Sequence, residues 1–229
     1  MSNRQSGNII FFILLAIFLI GIVTAALRST GIESGSIDRE DLTIKVSTVR
    51  QNASELEHAV NLVMQNGISE NDISFASPDA PSDYGTFNSN PKAEVFNTAG
   101  GGARYRPAPA GVNDGSGWEF YGTTAAPDVG SDKPDLIAVL PNVTEAFCDQ
   151  VNKANGEFRA SPPASIAQPV DDGTCVNAGT GLRFSSTTHF LTSGANTMDE
   201  TTFTAKPAGE ACVQCGGTSY HFYHVLMAR

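Results

Sequence analysis

The chain has 229 residues, a net charge of −10 and a pI of about 4.7, with 41% hydrophobic and 17% charged residues. That length builds one ordinary core. The acidic surplus, 12 basic against 24 acidic groups after residue 30, excludes nucleic-acid binding through a basic face and charge-held docking on anionic lipid.

The first element is an apolar run. Nineteen residues from Ile9 to Leu27 carry no charge, between Arg4 and Arg28. At about 1.5 Å per residue a helix of this length nearly crosses a hydrocarbon layer. Three origins are open: a secretory signal with small residues at Val23–Ala26, an uncleaved anchor, or a processed leader. The short polar stretch Met1–Gly7, with one Arg and a terminal glycine directly before the apolar run, resembles the start of a type IV pilin or pseudopilin precursor. That resemblance implies cleavage between Gly7 and Asn8, a single membrane span before assembly, and a filament built on the apolar helix, with Phe11, Phe12, Leu15, Phe18, Leu19 and Gly21 as assembly residues. Asn8 stands where pilins usually carry Phe or Met. Phe12 stands where they carry the Glu that meets a neighbour's amine. The implied division is a leader (1–7), a transmembrane and assembly helix (8–30), an amphipathic helix (31–67) and a body (68–229).

The next segment predicts that amphipathic helix. Ser36 or Asp38 can cap it, acidic Asp38, Glu40 and Asp41 suit its first turn, and Gly67 stops it. Leu42, Val46, Val49, Ala53, Leu56, Val60 and Val63 alternate at spacings of four and three, a continuous stripe over about three heptads. Such a stripe packs on its own domain or on copies of itself.

The body is dense in Gly, Pro, Asn, Asp and Ser, which predicts loops and short strands. Strand candidates are Ala93–Asn97, Trp118–Thr123, Asp135–Leu140, Leu182–Ser185, His189–Leu191, Thr202–Ala205 and Ser219–Met227. Leu136–Leu140, wholly apolar, suits a central strand. One helix interrupts them, from a capping-box pattern at Asn142 and Glu145 to Asn155-Gly156, and its Val143, Phe147 and Val151 should face the sheet. No crossover helices alternate with strands, so the expected fold is α+β: a long N-terminal helix, membrane span plus amphipathic part, on an antiparallel sheet with one short extra helix.

Cys148, Cys175, Cys212 and Cys215 form an even set in an exported body and read as two disulfides. Three connectivities are open, with bridges from Cys212 and Cys215 back to Cys148 and Cys175 preferred over a local one. Cys212-Val-Gln-Cys215 is also a CxxC, but Gly216-Gly217 rather than a helix follows it, against a redox role. A zinc reading adds His221 and His224, which alternation along a strand sends to opposite faces. Asp128–Asp132 and Asp171-Asp172 lack the ordered spacing of a calcium loop. Asn52-Ala-Ser54 and Asn142-Val-Thr144 match the glycosylation sequon but fall within the expected helices. No nucleophile elbow, metalloprotease or phosphate-loop motif occurs. No catalytic, cofactor or metal residue is therefore assigned.

The expectation is a non-enzymatic subunit of a type IV pilus-like or pseudopilus-like filament, in the inner membrane before assembly and then periplasmic or extracellular. Its partners are copies of itself and other pilin-like subunits, with no nucleic acid. The alternative is a single-pass, membrane-tethered periplasmic or extracellular binding module with a discrete ligand cleft.

Overall fold

A helix, α1 (Ser34–Gln65), and five strands organise the molecule. The computed structural model describes residues 11, 13–20, 34–157, 168–171, 175–185, 189–190, 196–198, 200–216 and 219–229. Two compact units divide the chain, Met1–Asp41 and Leu42–Arg229.

In the first unit residues 13–20 are helical. Among the described residues no helix is long and apolar enough to cross a membrane. This corrects the expected long N-terminal helix with a membrane-spanning part: the longest helix, α1, is amphipathic and charged. Gly7, Asn8, Phe12 and Gly21 lie outside the described residues. α1 also starts two residues before the expected cap, at Ser34, so its first turn holds no acidic residue. It stops where expected. Gly67 takes φ +83°, a left-handed conformation cheap only for glycine, and its N–H reaches the Met64 carbonyl at 2.9 Å.

In the second unit the strands are β1 (Glu119–Ala125), β2 (Asp135–Leu140), β3 (Asn196–Thr197), β4 (Glu210–Cys215) and β5 (Ser219–Met227), ordered β3-β1-β2-β5-β4. Four form an antiparallel sheet, and two-residue β3 adds a parallel pairing to β1 that breaks the expected uniform pattern. β2 is the middle strand and is buried throughout, as a wholly apolar run requires. Three strand candidates fail, and a fourth fails in its described part. Ala93–Asn97 is turns with one bridge from Glu94 to Ser74. Leu182–Ser185 is irregular, its Phe184 N–H donating to the Phe120 carbonyl at 2.8 Å. Residues 202–205 end a 3-10 turn, Glu200–Thr202, and then bend. His189 and Phe190 are likewise outside any strand, and Leu191 lies outside the described residues.

Alternation gives the sheet two apolar faces. Phe120, Leu136, Ala138, Leu140, Cys212, Phe222 and Leu226 share one core with α1 and with α2 (Glu145–Asn155). From the stripe on α1, Val46, Val49, Ala53, Leu56, Val60 and Val63 are at most 4% exposed, while Leu42 packs at the margin. Tyr121, Ile137, Val139, Ala211, Val213, Cys215 and Tyr223 form a second core on the opposite face, beneath the loops that carry Val176, Met198, Phe203 and Ala208. Thr144, not Asn142, caps α2, accepting from the Phe147 N–H at 3.4 Å; Asn142 precedes it in a left-handed turn.

Buried carboxylates shape the loops by collecting backbone N–H groups, which offsets the cost of burying their charge. Glu94 accepts from Asn88 (3.0 Å) and Asn90 (3.2 Å), Asp135 from Ala126 and Arg229 (2.9 Å each), and Glu157 from Thr204 (2.8 Å) and Ala205 (3.0 Å).

Candidate functional site

β4 is the strand on which several sequence signals converge, and it was missing from the sequence-based strand candidates. Cys212 and Cys215 are three residues apart, so their side chains leave opposite faces of the strand. Cys212 bridges to Cys148 on α2, with Cα atoms 5.2 Å apart, and Cys215 bridges to Cys175 with Cα atoms 5.3 Å apart. The CxxC is thus two anchors, one for each layer, and a local bridge between its cysteines has no place in the strand.

The outer edge of β4 is closed. The Asn155 carboxamide donates to the Glu210 carbonyl at 2.7 Å. Asn152 donates to the Cys212 carbonyl and accepts its N–H, both at 2.9 Å. The Gln214 N–H reaches the Pro169 carbonyl at 2.7 Å, and Asp171 N–H the Gln214 carbonyl at 3.0 Å. Backbone groups that would template a further strand are therefore occupied. Along the opposite edge β1 pairs with the short β3, and Phe120 of β1 bonds to Phe184 and to the Tyr84 hydroxyl.

A charged clasp ties α1 to the sheet. His224 of β5 reaches Glu210 through Nδ1 (3.1 Å) and Glu57 of α1 through Nε2 (3.0 Å). Arg50 of α1 pairs with the other oxygen of Glu210 at 2.7 Å and also contacts Asn155. Burial pushes the His224 pKa down, but hydrogen bonds to Glu210 and Glu57 outweigh it, and the net shift is upward. A second network lies under the β1 loops: Glu119 pairs with Arg183 at 2.5 Å and accepts from the Tyr121 hydroxyl and Gly179 N–H, both at 2.8 Å, and Arg183 also pairs with Asp83.

The histidines do not form the zinc set considered from the sequence. His224 faces α1, whereas the His221 ring lies by Cys175 and Cys215, all donor atoms within 4.8 Å, with both sulfurs consumed in the disulfide. His221 is held neutral, its pKa lowered by burial. Its Nδ1 accepts from the Asn142 N–H at 3.2 Å, so Nε2 carries the proton that faces Ser219 Oγ at 3.2 Å. A serine activated by histidine needs the reverse: a bare Nε2 and a carboxylate on Nδ1–H.

Ile13, Leu14, Leu15, Ile17, Phe18 and Leu19 are 43–66% exposed, and Phe11 is exposed at 61%. Four of the expected assembly residues, Phe11, Leu15, Phe18 and Leu19, thus lie on exposed helical positions. Asn52 of the first sequon is buried on α1, and Asn142 of the second is exposed and donates to Asp114 at 2.8 Å.

No family model matches the chain, and neither a curated protein nor a solved structure is similar to it.

Of the clasp residues, sequence reasoning singled out only His224, and that as a zinc candidate rather than as a partner of Glu57 and Glu210; Arg50, Glu57 and Glu210 were not picked out. One signal was available: Arg50 and Glu57 are seven apart and so lie on one side of α1. Their partners on β4 and β5 carry no local mark.

Proposed function

We propose that this chain is a non-catalytic structural subunit of a type IV pilus-like or pseudopilus-like filament, associating through its N-terminal apolar residues with copies of itself and with other subunits of the same kind. The observation that carries the reading is the helical run Ile13–Leu19, whose large side chains are 43–66% exposed. Each such side chain gains about 1.5–3 kcal/mol when covered, and an apolar patch of this extent marks an interaction surface. The closed β4 edge supports assembly by helix contact rather than by strand addition. Two disulfides suit a body that works outside the reducing cytoplasm, and the proposed route places the subunit at the inner membrane before assembly.

Electron microscopy of sheared surface fractions, with intact mass of the native product, tests the proposal. Filaments containing a chain that begins at Asn8 support it, and Phe18→Asp should abolish them while leaving the unfolding temperature of the body unchanged. A solitary soluble product beginning at Ala26 or Leu27 would overturn it.

A further inference from the structure

We propose that the cleft between residues 71–74, residues 84–90 and His189 binds a neutral saccharide, a role independent of whether the chain polymerises. The cleft measures about 400 Å³, within the range of small-molecule sites. Its floor is Ile73 and Tyr84, each 3% exposed. Its frame is rigid. The Tyr84 hydroxyl accepts from the Phe120 N–H of β1 at 3.0 Å, fully buried Glu94 fixes the Asn88–Asn90 wall, and Ser74 bonds across to Ala93 and Val95 at 2.9 Å each. On the far side the His189 ring stands edge-on to Phe184, with centroids 5.7 Å apart.

Over this frame the side chains of Asn71, Asp72, Thr86, Ser89 and Asn90 are exposed and make no hydrogen bond to other described residues. A preorganised site whose polar groups are not spent internally loses little on binding. The lining chemistry selects the ligand class. Among the described residues no Lys or Arg lines the cleft, which disfavours an anion in a chain of net charge −10. Among the described lining residues the one carboxylate, Asp72, falls short of the oxygen shell of a hard cation. Hydroxyls and carboxamides stand beside an apolar floor of Ile73 and Tyr84, a mixed lining that suits a sugar ring, with its polar rim and apolar faces, better than a wholly apolar lipid chain. The uncommitted donors and acceptors among residues 71–72 and 86–90 fit a ligand with vicinal hydroxyls, a pyranose ring entering from solvent.

Saturation-transfer NMR on the full chain in a detergent without sugar headgroups tests this. The probes are the methyl glycosides of glucose, galactose, mannose and N-acetylglucosamine, with N-acetylneuraminate as the charged control. Saturable transfer to at least one neutral glycoside is expected, weakened about tenfold by Asp72→Asn and by Asn90→Ala. Both residues are exposed, so the variants should unfold at the parent temperature. Absence of saturable transfer to all four, equal affinity in both variants, or preference for the charged control overturns the proposal.

Discussion

Replacing Cys148 and Cys212 together by alanine tests whether β4 is a double anchor. The bridge closes a sequence separation of 64 residues. Loop-closure entropy alone then gives about 4 kcal/mol at 25 °C. The second bridge, with a separation of 40, gives about the same by that relation, because the dependence on length is logarithmic. For a unit of this size about 4 kcal/mol lowers the unfolding temperature by roughly 8–16 °C. The two losses should differ in place rather than in size. Without Cys148–Cys212, α2 is held to β4 only by Asn152 and Asn155 among these contacts, and the amide at position 212, which donates to Asn152 of α2, should exchange faster. Without Cys175–Cys215, the loop that carries Val176 loosens, and the Val176 amide, held by Asp171 at 2.6 Å, should respond first. Calorimetry with amide hydrogen exchange on the parent and the two double variants reads both. An unfolding temperature within about 2 °C of the parent, or one exchange pattern for both variants, refutes the two-layer account.

The clasp predicts a pH dependence. The folded pKa of His224 is raised above the ordinary 6.5, so its stabilising contribution is complete below pH 6.5 and is lost as pH rises through the raised value. Urea unfolding across that range should show the difference between parent and His224→Gln shrinking with rising pH, while the opposite effect of His221, whose pKa is lowered, cancels between them. Gly101→Ala should cost about 1–3 kcal/mol, since an added Cβ would lie 2.5 Å from the Val95 carbonyl oxygen and 2.9 Å from Ala59 Cβ on α1; denaturant midpoints check it. Glu119→Gln should cost about 1.5–3 kcal/mol by removing the charged partner of one Arg183 nitrogen while Asp83 keeps the other, and chemical denaturation of the variant beside the parent checks it.

Local signals carried much of the fold. Strands β2 and β5 have the ends read from Asp135–Leu140 and Ser219–Met227, because both combine β-branched or aromatic density with flanking turn residues. The stop of α1 at Gly67 and of α2 at Gly156, which takes φ +82°, follows from the one residue that adopts that backbone without strain. β4 was overlooked because Glu210-Ala-Cys-Val-Gln-Cys215 has few β-branched or aromatic residues, and its pairing with β5 and with Asn152 supplies what propensity does not. The failed strands Leu182–Ser185 and Thr202–Ala205 show the converse: a short segment with one large aromatic can lie against a sheet without a ladder, as Phe184 does with a single bond to Phe120 of β1.

The sequence by itself determined the acidic character, the charge-free run Ile9–Leu27, the apolar stripe of α1 and the even cysteine set, since each rests on composition or on a local period. Only the tertiary structure decided which cysteines pair, which face each histidine joins, how the β4 edge is closed, and that the uncommitted side chains of Asn71, Asp72, Thr86, Ser89 and Asn90 surround one cleft. The physical reason is separation along the chain: Glu57 and His224 are 167 residues apart, and a contact of that range leaves no periodicity in either segment until packing brings the two together.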